Sequence, residues 1–165
     1  TKTNSYRLET FRSNELGCLG YADSDEQAVF YRTTTKPHTQ DAEFDVDSVH
    51  TLPRVDIAYA YAGADGLLVR ALVDAGVAGI VAGGLGSGGS PSKMMAALKA
   101  AAQSGVPVVI ATQTGNGRVV RTRRYDEDGY IVADNLSPKK TRILLMMALT
   151  KTKNPEEIQR MMLTY

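Results

Sequence analysis

The sequence predicts an α/β domain: a three-layer sandwich around a small, mainly parallel sheet, preceded by a β-hairpin and a linker. Three observations lead there. From Leu52 onward, short apolar runs alternate with segments of helical periodicity, the pattern left by parallel strands joined by crossover helices. One run, Val108-Val-Ile-Ala111, is apolar at every position, as a strand covered on both faces requires. A capping residue followed by proline occurs three times, at Ser90-Pro91, Ser137-Pro138 and Asn154-Pro155, each just ahead of an apolar stripe.

The elements follow in order. Leu16–Ala22 and Ala28–Arg32 are short β-like runs around the polar turn Asp23–Gln27, a hairpin signature. Thr33 to Asp47 is polar and irregular, a linker in which Phe44 is placed to anchor against the core. The expected division is therefore 1–51, hairpin and linker, and 52–165, the α/β domain. Val55–Tyr61 reads as a strand. Asp65 is a candidate N-cap for a helix with Leu67, Leu68, Ala71, Leu72 and Ala75 on one face, stopped by Gly76. A glycine-rich strand and loop, 79–92, come next. Met94, Met95, Leu98, Ala101 and Ala102 form the following helical stripe, and the strand 108–111 comes after it. Thr112 to Asp128, polar and arginine-rich, is expected as a loop or small hairpin, and Tyr130–Ala133 as the last strand. Ile143, Leu144, Met147 and Ala148 mark one terminal helix. Ile158, Met161, Met162 and Tyr165 mark a second, with Asn154 and Glu157 spaced for a capping box.

Composition narrows the function. The 165 residues suffice for one core, and 43% hydrophobic with 22% charged is an ordinary globular balance. A net charge of +1, with signs interspersed, supplies no electrostatic case for nucleic acid or an acidic membrane. The longest uncharged run, Ala75 to Ser92, is too rich in glycine to span a bilayer and is broken by Pro91. The single cysteine, Cys18, precludes an intrachain disulfide and leaves the compartment open. A start at Thr1, without methionine or signal peptide, points to a processed chain or a piece of a longer one.

The chain turns on Gly79-Ile-Val-Ala-Gly-Gly-Leu-Gly-Ser-Gly-Gly-Ser-Pro-Ser92. In open α/β sheets, loops leaving the carboxyl ends of strands bind ligands. Ser87 carries the only hydroxyl inside the glycine run, which makes it the first candidate for contact with a small polar ligand. Gly84-x-Gly86-x-x-Gly89 also has dinucleotide-loop spacing, but the next strand ends in Ala111-Thr-Gln-Thr114, without the ribose-binding acid, and a proline opens the helix. His38 and His50 are isolated from each other and from Cys18, so no metal set is expected. Nucleophilic catalysis is hard to build from these residues: Thr33-Thr-Thr35 reads as linker or strand edge and Cys18 as a small packing residue, and no cofactor is expected. The paired methionines 94/95, 146/147 and 161/162 read as core filler.

Three stretches carry a resemblance. Leu52-Pro-Arg-Val-Asp-Ile-Ala-Tyr-Ala-Tyr-Ala-Gly-Ala-Asp-Gly66, Ala71-Leu-Val-Asp-Ala-Gly-Val-Ala-Gly-Ile-Val-Ala-Gly-Gly-Leu-Gly-Ser-Gly88 and Asp134-Asn-Leu-Ser-Pro-Lys-Lys-Thr-Arg-Ile-Leu-Leu-Met-Met-Ala-Leu-Thr-Lys-Thr152 resemble the C-terminal domain of bacterial type II L-asparaginases and glutaminase-asparaginases. The hairpin, Lys36-Pro-His-Thr39 and Phe44-Asp-Val46 resemble the segment joining that family's two domains, so the likeness covers essentially the whole chain.

The resemblance implies an amidohydrolase converting L-asparagine, and in some members L-glutamine, to the acid and ammonia. Its threonine nucleophile and Thr–Asp–Lys group would lie in an N-terminal portion whose Thr-Gly-Gly-Thr and His-Gly-Thr-Asp motifs do not occur here. It also implies a homo-oligomer, a tetramer, with the glycine loop completing a neighbouring subunit's substrate site. At that loop's polar position this chain has Ser87 where asparagine is familiar. The shorter side chain reaches less far toward the ligand's α-amino group, so glutamine should be better tolerated. Glu127, the one glutamate in the loop before the last strand, is the candidate for the family's inter-subunit acid, although it sits close to the strand, and a solvent-facing turn acid is the plainer reading. The implied compartment is the periplasm or the exterior, with the cytoplasm as the alternative. A non-catalytic amino-acid-binding module and a dinucleotide-binding domain remain the other readings.

Overall fold

The computed structural model describes residues 1–13 and 15–165. The described residues form two sheets. β1 (Gly20–Ala22) and β2 (Ala28–Phe30) pair antiparallel, Gly20 opposite Phe30, closing the expected hairpin around 23–27. β3 (Val55–Tyr59), β4 (Gly79–Gly84), β5 (Val108–Thr112) and β6 (Ile131–Val132) form the four-stranded sheet in that spatial order, every pair parallel.

Because side chains alternate along a strand, the sheet has two buried faces. Ala58, Ile80, Ala82, Val108, Ile110 and Val132 face the layer made by α1 (Leu67–Asp74) and α2 (Ser92–Gln103), onto which Tyr125 of α3 (Arg123–Glu127) also packs. Val55, Val81, Val109, Ala111, Ile131 and Ala133 face the layer made by α4 (Pro138–Leu149) and α5 (Pro155–Thr164). This is the three-layer arrangement. The crossover helices all lie on one face, and the final helix pair covers the other.

Several local expectations are corrected. Of the predicted α1 face only Leu72 is buried, together with Val69; Leu67 and Leu68 are 65% and 52% exposed, and Ala71 and Ala75 are exposed too. Asp65 stands one residue outside the helix and accepts from the Leu67 N–H (2.9 Å), while Gly66, at φ 84°, occupies the cap. That bond holds the Asp65 carboxyl below its ordinary range. On α4 the core takes Pro138, Thr141, Leu145, Ala148 and Leu149, leaving Ile143 exposed. Thr141 can be buried because its hydroxyl donates to the Ser137 carbonyl (2.9 Å).

The capping signatures also resolve differently. Pro138 and Pro155 sit in the first turn as expected, but Pro91 is itself the N-cap of α2, and Ser90 Oγ is buried without a partner. Asn154 accepts from Glu156 and Glu157 N–H (2.9 and 3.4 Å). No reciprocal capping box forms, since the Asn154 N–H donates to Thr152 Oγ1 and Glu157 pairs with Arg160. Residues 123–127, expected in a loop or hairpin, form the one-turn helix α3, capped by Thr122 and held by an Arg123–Glu127 pair (2.8 Å).

The linker is fastened to the terminal helices at Glu43 and Phe44. The Glu43 carboxylate takes a fork of two bonds from Arg160 (3.0 and 2.9 Å), and its N–H donates to the Tyr165 hydroxyl (2.7 Å). The Lys151 ammonium donates to the Glu43 carbonyl. Phe44 packs on the Tyr165 ring (5.2 Å between centroids) and on the α4–α5 core, the anchoring role expected for it.

Gln159 closes the short edge strand β6. Its Oε1 accepts from the Val132 N–H (2.8 Å) and its Nε2 donates to the Val132 carbonyl (3.1 Å), so one buried amide stands in for a fifth strand.

Candidate functional site

All four parallel strands finish on one edge of the sheet, and the loops that leave it carry the candidate chemistry. β4 runs directly into the turn Leu85–Gly89. The Leu85 N–H donates to the Gly89 carbonyl (2.6 Å), and the Gly88 and Gly89 N–H groups both donate to the Leu85 carbonyl (3.0 and 2.8 Å). The turn folds back so tightly that a Cβ on Gly84 would lie 2.2 Å from the Gly88 oxygen. Gly88, at φ 102°, packs its α-carbon side against Ile110 and Val119. The inner part of the turn is thus rigidly built into the domain.

Its apex is not. Leu85, Gly86 and Ser87 are exposed, and no hydrogen bond joins the Ser87 hydroxyl to another described residue. The sequence-predicted ligand residue therefore stands on a stiff stalk and points away from its own core.

The stalk is braced from β5. The Gln113 N–H donates to the Gly84 carbonyl (3.0 Å), the Gln113 side-chain amide donates to the Ala60 carbonyl (2.9 Å), and the Thr112 hydroxyl donates to the Gly86 carbonyl (2.5 Å). Thr112 is 4% exposed. The sequence reading passed over these residues. Their signal was there: a polar run, Thr112-Gln-Thr114, directly after an all-apolar strand at the ligand edge of the sheet.

Glu127 lies elsewhere. It ends α3 with its side chain 60% exposed, paired with Arg123, and lines a surface cleft of ≈ 570 Å³ with Ser90, Lys99, Arg124 and Tyr130. Ser87 is not among the residues that line that cleft. On the cleft wall the Tyr130 hydroxyl donates to the Met95 carbonyl (2.9 Å), and burial, with Asp128 nearby, pushes its pKa up to about 12.

The glycine run does not form a phosphate cradle. Two of the N–H groups a pyrophosphate would need are spent on Leu85, and α2 begins only at Ser92, behind Pro91. Among the described residues no three His, Cys, Asp or Glu side chains gather as a metal set. Among the described residues no helix is long and apolar enough to cross a membrane.

Residues 54–162 match the model of the glutaminase/asparaginase C-terminal domain family. The L-asparaginase 2 of Escherichia coli (strain K12) is 38% identical across the whole of this chain, which covers 48% of that protein. The glutaminase-asparaginase of Pseudomonas fluorescens biotype A is 36% identical, again across the whole chain and 46% of the relative. The crystal structure of a probable cytoplasmic L-asparaginase from Campylobacter jejuni superposes with a TM-score of 0.94 at 38% identity, over all of this chain and 52% of that one. The chain spans about half the length of the relatives it matches. With its parallel sheet, both helical layers and the glycine turn all inside the matched segment, this chain belongs to the glutaminase/asparaginase C-terminal domain family.

Proposed function

We propose that this chain is the C-terminal portion of an amidohydrolase that converts L-asparagine, with L-glutamine also accepted, to the acid and ammonia. Residues 1–51 belong with the preceding catalytic portion, and residues 52–165 form the domain that presents the Ser87 turn to a neighbouring subunit of a homotetramer. The observation that carries this reading is the exposed Ser87 apex on a rigid stalk, in a chain of this family. A composite site needs a group held at fixed geometry that faces away from its own domain. The long run of exposed apolar side chains before residue 52, among them Tyr6, Leu8, Phe11 and Phe30, supports the division, because a two-stranded hairpin with both faces in water has no core of its own.

Chemistry places the roles. The reacting amide would be attacked by a nucleophile of the preceding portion. Ser87 would contribute one hydroxyl near the substrate's α-amino group, so its effect falls on binding and on side-chain length preference. Glu127, which the same neighbouring subunit would supply, is paired with Arg123 and exposed, and a solvent-facing turn acid is its plainer role. The periplasm or the exterior is the proposed compartment.

Ammonia release from L-asparagine is the test. The 165-residue chain alone should release none, and adding the N-terminal portion should restore activity. Failure to restore it removes the proposal. In the complete enzyme, Ser87→Asn should shift the glutamine-to-asparagine ratio of kcat/KM toward asparagine by several-fold, on the order of 1 kcal/mol for one polar contact. An unchanged ratio would remove Ser87 from the substrate site. Calorimetric titration of the chain with aspartate, glutamate and NAD separates this reading from a stand-alone binding module or a dinucleotide domain.

A further inference from the structure

The bracing of the Ser87 turn contains a competition between hydroxyl protons. Thr112 Oγ1 lies 2.5 Å from the Gly86 carbonyl oxygen and 2.7 Å from Thr114 Oγ1, and Thr114 Oγ1 lies 2.9 Å from the Asn116 carbonyl oxygen. Each threonine has one hydroxyl proton to give. If Thr112 donates to Gly86, Thr114 can close the 2.7 Å contact only by donating to Thr112, and the exposed Asn116 carbonyl is left to water. If Thr114 donates to Asn116, Thr112 must turn its proton to Thr114 and release Gly86. The first arrangement keeps the shortest bond and aligns Thr114, Thr112 and Gly86 as a chain of donors in which each bond strengthens the next. It also meets the needs of a buried oxygen, because the Thr114 N–H donates to the same Thr112 Oγ1 at 3.1 Å.

We propose that Thr112 is a positioning residue for substrate binding: its hydroxyl, fed by Thr114, holds the Gly86 carbonyl and so fixes the apex that presents Ser87. This rests on the proposed role of Ser87. Gly86 has φ 50° and nothing within 4 Å of where a Cβ would stand, so packing does not fix that residue, and the Thr112 bond restrains its peptide from the side of β5. The inner residues Gly84, Gly88 and Gly89 keep their own backbone bonds and do not depend on Thr112. Loss of the hydroxyl should therefore loosen the apex without unfolding the turn.

The test uses Thr112→Val, Thr112→Ser and Thr114→Val, read in two ways. In the 165-residue chain, the backbone NMR order parameter at Ser87 should fall in Thr112→Val from the rigid range of about 0.85 toward the flexible range below about 0.6. It should stay near wild type in Thr112→Ser and fall by less in Thr114→Val, while the order parameters across β4 and β5 stay unchanged. In the complete enzyme, Thr112→Val should raise KM for asparagine by up to about tenfold with kcat altered much less, and Thr112→Ser should restore it. An unchanged order parameter at Ser87, or equal behaviour of the valine and serine variants, overturns the proposal. So does a loosened apex with an unchanged KM in an active enzyme. If the complete wild-type enzyme releases no ammonia, the proposed function fails, and the order parameter at Ser87 alone then decides whether Thr112 holds the turn. Should Thr112→Val not fold, the graded response of Thr114→Val against Thr112→Ser carries the same decision.

Discussion

Two glycines flank Ser87, and alanine at each should cost very different amounts. At Gly86, φ is 50° and the space around a new Cβ is empty. Alanine there meets only the left-handed backbone penalty of about 1–2 kcal/mol, partly offset by about 0.4–1 kcal/mol from a stiffer unfolded chain. The net loss is about 1 kcal/mol. At Gly88, φ is 102°, further from the left-handed well, and the new Cβ would stand 2.8 Å from Ile110 Cγ2 and 3.2 Å from Val119 Cγ1. Ile110 is fully buried in the middle of the sheet and Val119 is 1% exposed, so neither can move into open space. Overpacking a tight core adds about 1–3 kcal/mol to the backbone strain. Gly88→Ala should therefore lose about 2–5 kcal/mol, and at about 2–4 °C per kcal/mol for a chain of this size its Tm should fall by about 10 °C against a few degrees for Gly86→Ala. Urea unfolding with a shared m-value measures both. Equal losses at the two positions, or a Gly88→Ala loss below about 0.5 kcal/mol, would refute the account of the turn as an apex on a packed stalk.

Two further outcomes follow from the fold. Gln159→Leu leaves the Val132 N–H and carbonyl buried without partners, and at about 1–3 kcal/mol each the chain should lose about 2–6 kcal/mol in urea, more than any exposed substitution on α5. At Glu43 the Arg160 guanidinium holds the carboxyl below its ordinary value of 4.5, so the stabilisation it gives is fully present above that value and is lost as pH falls through the lower folded-state value. The gap in urea midpoint between wild type and Glu43→Gln should therefore be constant near neutral pH and shrink through the acidic carboxylate range; a gap that widens on acidification would reverse the assignment.

The parts of the fold that were legible in the sequence are those set by runs and punctuation. An unbroken apolar stretch such as Val108–Ala111 has few places to go except the middle of a sheet, and the prolines at 138 and 155 mark helix starts whatever surrounds them. Helix faces were harder. In α1 apolar residues occupy both sides, and nothing local tells Leu67 and Leu68 from Val69 and Leu72; only the sheet beneath decides. On α4 the buried Thr141 broke the apparent stripe, because its hydroxyl is satisfied within its own helix, which a hydropathy pattern cannot register. Gln159 was hidden for a related reason: a polar residue inside an apolar face reads as a flaw until the strand edge it serves is in view. At the candidate site, Ser87 was visible as the one hydroxyl in a glycine run. Thr112 was not, because its partner, the Gly86 carbonyl, lies 26 residues away in the chain. Glu127 was singled out through the resemblance, as the one glutamate in its loop, and in the fold it pairs with Arg123.

The amide of Gln159 has a consequence for how copies of this chain can come together. A sheet whose outer strand offers vacant backbone groups invites another molecule to dock edge to edge, and the same invitation, repeated, is how ordered fibres grow. Here the invitation at β6 is withdrawn from within, by a side chain of the last helix. A second copy arriving at this edge finds no vacant backbone group on Val132 to which it could add a strand.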